Sequence, residues 1–149
     1  MNEMAFRIFQ LASRGYCCTQ IMVKLVLEQE ERENKDLIKA LNGLCGGIGS
    51  SGGTCGVLTG GICIFGLYGG KEDCDNNKED FNNMIKEYME WFKEEFESTD
   101  CLHIVGEQLL VDESGEISYP VKCGSIIEKS FNRVWQIMDE HGYELGERQ

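Results

Sequence analysis

The feature that most constrains the fold is an uncharged, glycine-rich segment in the middle of the chain. Residues 40–70 contain no charged side chain, twelve glycines and three of the eight cysteines, although charged residues flank the segment on both sides. Glycine inside a helix or strand costs roughly 0.5–1 kcal/mol relative to alanine, because its backbone loses more freedom on folding. So many glycines in an uncharged segment therefore indicate a buried element that lies close to another backbone or to a bound group.

The apolar part of this segment is too short to cross a membrane. Residues 55–68 form an apolar stretch of 14 residues, whereas a helix that spans a bilayer needs about 20. We therefore expect a buried core helix and no membrane span.

Cysteine usage and the first residues of the sequence indicate a cytoplasmic protein. The first residues include the acidic Glu3 and lack the apolar stretch of a signal peptide. Thiols stay mostly reduced in the cytoplasm. There, clustered cysteines more often indicate metal binding or redox chemistry than structural disulfides.

The acidic composition argues against nucleic-acid binding and suits a basic protein partner. The chain has 149 residues and a net charge of −12, and its length predicts one domain over residues 1–149. Nucleic-acid binding needs a basic face that neutralises phosphates. An acidic surface suits docking to a basic redox partner protein, and a long exposed helix over residues 80–98 is compatible with a homodimer.

Hydrophobic periodicity predicts an all-α fold, a compact bundle of about six helices around the buried glycine-rich helix. Gly15 is a natural helix C-cap and Thr54 a plausible N-cap. A turn sequence predicts a small hairpin near residues 107–120. The predicted helices cover residues 2–14, 16–32, 35–44, 54–66, 80–98 and 123–141, with a further short helix that begins at Cys101.

Four of the cysteines lie at or near the predicted starts of helices. Helix N-termini present unpaired N–H groups and a positive partial charge, which favour a thiolate and lower the pKa of a cysteine there. Four thiolates from distant segments suit an iron–sulfur cluster or zinc. The alternative is that these residues are buried apolar side chains, because free cysteine is among the most buried residue types. The four are Cys18, Cys55, Cys101 and Cys123.

The same cysteines carry a resemblance to a known family. The sequence resembles the redox-active proteins named for a C…CGAxxG…C…C pattern, which are small bacterial and archaeal proteins. Val57 replaces the alanine of that pattern. The resembling residues are Gly15-Tyr16-Cys17-Cys18, the segment GGTCGVLTGG at 52–61, Cys101, and Lys122-Cys123. The resemblance implies a redox-active protein that uses Cys18, Cys55, Cys101 and Cys123.

Three functions are compatible with these residues. The first is electron transfer through an iron–sulfur or other metal centre with Cys18, Cys55, Cys101 and Cys123 as ligands. The second is thiol–disulfide chemistry, in which Cys55 is a low-pKa attacking thiol and Cys18 or Cys45 resolves the mixed disulfide. The third is a structural zinc or disulfide-stapled module that binds a partner.

The glycines beside Cys55 predict an open helix face. Gly56 and Gly60 form a small-xxx-small pair, and Gly53 ends the preceding glycine-serine loop. We expect Gly53, Gly56 and Gly60 to leave room for the cofactor that the sulfurs hold. Close helix packing is the alternative.

The remaining cysteines and the two histidines carry weaker signals. Cys63 is expected in the core and Cys74 in a polar loop. Cys17 is expected to be an idle neighbour of Cys18. His103, two residues after Cys101, is a surface or packed residue or a further ligand, and His141 suits a helix C-terminus, where a cation is favourable.

Overall fold

The computed structural model describes residues 2–73, 76, 78–105, 110–111, 117–118 and 121–148. Within these residues the fold is helical, as the periodicity predicts, and the predicted small hairpin is present. Its strands β1 (Leu110–Val111) and β2 (Ile117–Ser118) pair antiparallel. The helices are α1 (Glu3–Ser13), α2 (Cys18–Gln29), α3 (Lys35–Leu41), a 3₁₀ helix (Asn42–Leu44), α4 (Gly56–Gly69), α5 (Phe81–Phe96), α6 (Cys101–Val105) and α7 (Val121–Glu140).

Local sequence signals set several helix ends. The Asn2 side chain accepts a hydrogen bond of 2.7 Å from the Ala5 N–H and caps α1. Gly15 follows α1 with a φ of +95°, a conformation that glycine adopts without a Cβ clash. The prediction that Thr54 caps α4 is wrong. Cys55 is the N-cap, because the Thr54 backbone is engaged in a β-bridge with Asp100.

The glycine-rich helix α4 is buried at the centre of the fold, as predicted, and runs parallel to α2. A Cβ on Gly56 would lie 2.6 Å from the Cys18 sulfur, and a Cβ on Gly60 would lie 2.9 Å from the Met22 Cβ. Contacts thus advance in the same direction along both helices. Because neither glycine has a side chain, the two backbones approach closely, and the starts of α2 and α4 lie at the same end of the bundle.

Helices α5 and α7 complete the core. A Cβ on Gly61 of α4 would overlap the ring of Tyr88 from α5, so this glycine makes room for the ring. The Tyr88 hydroxyl donates a hydrogen bond of 2.9 Å to the Val57 carbonyl, and the Tyr88 ring meets Phe65 edge to face. The polar end of Tyr88 is therefore satisfied inside the core, close to the start of α4.

A buried ion pair lies where α2 and α4 both end. Glu30, whose side chain is 1% exposed, pairs with Arg148 through two contacts of 2.8 and 2.9 Å. The Tyr68 hydroxyl donates to Glu30 at 2.7 Å and accepts from the Gly146 N–H at 3.0 Å. Each charged group here has a partner of opposite charge.

No helix in the described part of the chain combines the length and the apolar character that a membrane crossing requires.

Candidate functional site

An antiparallel bridge between Thr54 and Asp100 brings the start of α4 next to the start of α6. Backbone hydrogen bonds on either side of the bridge join residues 52–55 to residues 99–102. The cysteine that begins each helix follows directly after its bridge residue, so Cys55 and Cys101 become neighbours. The backbone hydrogen bonds are Cys55 N–H to Thr99 O (2.8 Å), Cys101 N–H to Gly53 O (2.6 Å) and Leu102 N–H to Gly52 O (3.1 Å).

Cys18 joins this pair from α2. Its sulfur lies against Gly56, where an added Cβ would be 2.6 Å away. The negative charges that Cys18, Cys55 and Cys101 carry as thiolates act on one another, since Cys18 raises the pKa of both Cys55 and Cys101. Three of the four predicted site cysteines therefore meet in one cluster, which we call the cysteine cluster.

A left-handed turn packs against the cysteine cluster. Residues 46–50 all have φ between +59° and +73°, including the non-glycine residues Ile48 and Ser50. Each of the two non-glycine residues costs about 1–2 kcal/mol in this conformation, because its Cβ crowds the following carbonyl oxygen. The Gly46 N–H of the turn lowers the pKa of Cys18, and Gly47 lies against the Cys101 Cβ, which is 2.8 Å from where a Cβ of Gly47 would lie. The turn thus contacts two members of the cluster.

The cluster is buried, and burial controls its acidity. Cys18, Cys55 and Cys101 are each about 5% exposed or less. Burial raises the pKa of all three thiols, and the charge of Cys18 helps to raise that of Cys55 to about 12. The Val57 and Leu58 N–H groups at the start of α4 lower the pKa of Cys55 by a smaller amount. The prediction of lowered pKa values is therefore wrong for the chain without a bound cation, because burial outweighs the helix N-termini.

This environment weakens the hypothesis that Cys55 attacks a disulfide. The thiolate is the nucleophile in such exchange, and a thiol whose pKa is about 12 is almost entirely protonated at neutral pH. Cys45, the other proposed resolving thiol, is bonded elsewhere. It forms a disulfide with Cys17, with a Cα–Cα distance of 5.8 Å, in the usual range for a disulfide.

The Cys17–Cys45 disulfide overturns two further expectations. Cys17 is not an idle neighbour of Cys18, and Cys45 does not pair with Cys55. A sequence separation of 28 residues carries no pairing information. The one sequence feature that sets these two cysteines apart is their position. Cys17 directly precedes the first helix-start cysteine, and Cys45 directly precedes the glycine-rich loop.

The other predicted site residues lie at several positions in the fold. Cys123 is buried in the same apolar core on the first turn of α7. Cys63 lies mid-helix in α4, partly buried against the core as expected, and His103 is exposed. Cys74 lies outside the described residues. Within the described ranges, no three His, Cys, Asp or Glu side chains are arranged as a group that could hold a metal ion.

The three glycines predicted to line a cofactor are packed against protein. The Gly53 carbonyl accepts from Cys101, and its N–H donates to the Gly47 carbonyl at 2.9 Å. Gly56 and Gly60 lie against α2, as the close-packing alternative predicts. A role for these glycines toward a cofactor stays a prediction.

Thr19 is a site residue that sequence reasoning missed. Its side chain is fully buried, and its hydroxyl has no hydrogen-bond partner of ordinary geometry. The hydroxyl lies against Gly56 beside the Cys18 sulfur, where it favours the thiolate form of Cys18. A buried hydroxyl without a partner costs stability, so this one is a polar group available to whatever the cysteines hold.

One protein family matches the chain across more than half of the chain's length. The sequence model of the family described as "Putative redox-active protein (C_GCAxxG_C_C)" matches residues 16–137. This range contains the cysteine cluster, Cys123 and the Cys17–Cys45 disulfide. No curated protein and no solved structure matches the chain.

Proposed function

This chain belongs to the C_GCAxxG_C_C family of redox-active proteins, and from that premise we propose that it transfers electrons through a centre bound by Cys18, Cys55 and Cys101, with Cys123 as a further ligand. One observation carries the proposal. Three buried thiols from the starts of three helices lie close enough for their charges to interact, yet none of the three is in a disulfide.

The donor types suit a thiolate-bound metal centre, although the described side chains are not arranged as a metal-ligand group and would have to move to bind one. Soft thiolate ligands select iron–sulfur clusters, zinc and copper(I). Zinc has no redox chemistry, so membership in a redox-active family favours an iron–sulfur cluster. Such a cluster supplies the uptake and release of electrons. The unpartnered Thr19 hydroxyl beside Cys18 adds a hydrogen-bond donor of the kind that tunes these clusters.

The residues around the sulfurs have separate tasks in this proposal. Each thiol must lose a proton before it binds a metal, and a bound cation offsets the raised pKa that burial causes. The Gly46 N–H at Cys18 and the Val57 and Leu58 N–H groups at Cys55 stabilise the resulting negative charge. The apolar core around the cluster limits the access of water.

The electron donor or acceptor would be another protein. A net charge of −12 suits a basic redox partner in the cytoplasm. A homodimer stays a prediction, as does the cytoplasmic location.

The proposal is tested by metal analysis of the protein purified without oxygen. We expect iron, acid-labile sulfide and visible absorbance. Single Cys18→Ser, Cys55→Ser and Cys101→Ser variants should lose most of all three. Cys63→Ser is the matched control, because Cys63 lies on the same helix as the Cys55 cap but outside the cluster, and it should keep them. Wild-type protein with neither iron nor sulfide would refute the proposal.

A further inference from the structure

We propose that the Cys17–Cys45 disulfide is a second redox site, which a dithiol reduces and which holds the left-handed turn at residues 46–50 against the cysteine cluster. This inference goes beyond the proposed function. Neither cysteine belongs to the four of the family pattern that the sequence displays, and the disulfide needs no metal. The proposal therefore stands or falls separately from the electron-transfer centre.

The disulfide joins the two segments that meet at Cys18. Cys17 directly precedes Cys18 at the start of α2, and Cys45 directly precedes Gly46, the first residue of the left-handed turn, whose N–H lowers the pKa of Cys18. The bond therefore links the start of the turn to the residue before Cys18. Because Gly47 also contacts Cys101, the same tether reaches a second member of the cluster.

Apart from the disulfide, hydrogen bonds hold the turn in place, including those that the Gly47 carbonyl accepts from the Gly53 N–H (2.9 Å) and the Ser51 hydroxyl (2.8 Å). Ile48 is 50% exposed and Ser50 is also exposed, so apolar packing of these side chains does not favour their left-handed conformation. Its support comes from backbone hydrogen bonds within the loop, such as Gly49 N–H to Gly43 O at 2.7 Å and Ser50 N–H to Cys45 O at 3.0 Å. A strained conformation persists only where its surroundings over-determine it, and here the covalent tether at Cys45 is the strongest such constraint.

The surroundings of the two sulfurs predict how reduction proceeds. Cys17 is the N-cap of the 12-residue helix α2, in a capping box with Gln20 that brings the Gln20 N–H to the Cys17 sulfur. A negative charge is stabilised there, so Cys17 is the better leaving group. Both cysteines are buried, Cys45 at 6% and Cys17 at 3% exposure, so the dithiol reaches Cys45 during local opening of the adjacent turn. Its thiolate attacks the Cys45 sulfur, the Cys17–Cys45 bond breaks, and Cys17 leaves as a thiolate that then takes up a proton.

The second step completes the electron balance. The remaining thiol of the reductant attacks its own sulfur in the mixed disulfide with Cys45, and Cys45 leaves and is protonated. The dithiol has lost two electrons and two protons and become a disulfide, and Cys17 and Cys45 are now thiols. The turn is then no longer tethered to α2, and the Gly46 N–H is no longer held at Cys18.

Hydrogen–deuterium exchange of the full chain tests this inference. The protein is oxidised with oxidised dithiothreitol, and half is then reduced with dithiothreitol. Alkylation of the unfolded protein followed by peptide mapping should show Cys17 and Cys45 blocked in the first sample and modified in the second. We expect amide exchange across residues 42–53 to become about tenfold faster on reduction, because the turn opens more often. Exchange in α5 should not change.

Two variants sharpen the comparison. A Cys17→Ser/Cys45→Ser double variant should show the faster exchange with or without dithiothreitol, whereas Cys63→Ser should behave like wild type. The wild-type comparison stands even where the double variant does not fold. Equal exchange across residues 42–53 before and after reduction would overturn the proposal, and so would alkylation of both cysteines in the oxidised sample. Metal content does not enter either result.

Discussion

The parallel helices α2 and α4 have chemically opposite ends. At one end, where both helices begin, lie the buried thiols of the cysteine cluster, the unpartnered Thr19 hydroxyl and the left-handed turn. At the other end, which we call the carboxylate end, Glu30 accepts from both Tyr68 and Arg148. The cysteine end has a strained turn and a buried hydroxyl without a hydrogen-bond partner of ordinary geometry. At the carboxylate end, the charged and polar groups pair with one another.

The difference shows which end serves stability and which serves chemistry. Buried polar groups are ordinarily paired, and unpaired or strained groups persist mainly at functional sites. The carboxylate end follows the ordinary rule, whereas the cysteine cluster departs from it in three independent features. The hydrogen-bonded ion pair of Glu30 and Arg148 therefore stabilises the helix pair at one end, and the same two helices hold the cysteine cluster at the other. We call this ion pair the anchor.

The largest expected effect comes from breaking the anchor, the ion pair between Glu30 and Arg148. Glu30→Gln removes the charge that pairs with Arg148 in a buried setting, and we expect a loss of about 3 kcal/mol in the free energy of unfolding. Glu28→Gln is the control, because Glu28 pairs with Arg7 where both side chains are more than a third exposed, and its loss should be about 0.5 kcal/mol. Urea unfolding measures both. Equal losses would mean that the carboxylate end is no anchor.

Alanine substitutions at two glycines of α4, one near each end, compare the two ends directly. The Cβ of Gly56→Ala would lie 2.6 Å from the Cys18 sulfur and against the Thr19 hydroxyl. We expect about 2 kcal/mol of destabilisation from overpacking, together with displacement of Cys18 and loss of any bound centre. Toward the other end, a Cβ on Gly66 meets nothing within 4 Å, so Gly66→Ala should stabilise the helix by about 0.5–1 kcal/mol.

Thermal unfolding and metal content distinguish the two alanine variants. A Gly56→Ala protein that is as stable as wild type, with an unchanged centre, would show that the close approach at the start of α4 is dispensable.

The smallest effect concerns pH and lies at the end of α7, where His141 contacts Asp80 and Glu87. Burial by itself lowers the pKa of His141, but hydrogen bonds to Glu87 (3.1 Å) and Asp80 (3.3 Å) outweigh it and raise the pKa above 6.5. A raised folded-state pKa gives stability that is fully present below the unfolded pKa and is lost as pH rises through the folded pKa.

His141→Gln should therefore cost about 0.5 kcal/mol at pH 5.5, since both carboxylates are partly exposed, and almost nothing at pH 9. Urea unfolding at both pH values measures the difference. The cluster thiols have raised folded-state pKa values, so they lower the stability as the pH rises through the unfolded cysteine pKa of about 8.5. This loss is the same in wild type and in His141→Gln, so the difference between the two proteins isolates the contribution of His141. A cost that grows with pH would contradict the assignment.

Local signals predicted much of the fold and part of the site. The apolar stripe of α5 predicts the burial of Met84, Tyr88 and Phe92, and Gly15 marks the end of α1. The cysteines at helix starts were also predictable, because turn and capping residues precede them. The exact start of α4 was not, since the pairing of Thr54 with Asp100 is a contact between distant segments.

By itself, the sequence determined that the glycine-rich helix is buried, that the chain is helical and that several cysteines begin helices. These properties depend on residue type and spacing along one segment. Only the tertiary structure decided that α2 and α4 run parallel, that Cys17 bonds Cys45, and that the cluster thiols have raised pKa values. Each of these depends on which distant groups come within a few ångströms, and on how much water their packing removes.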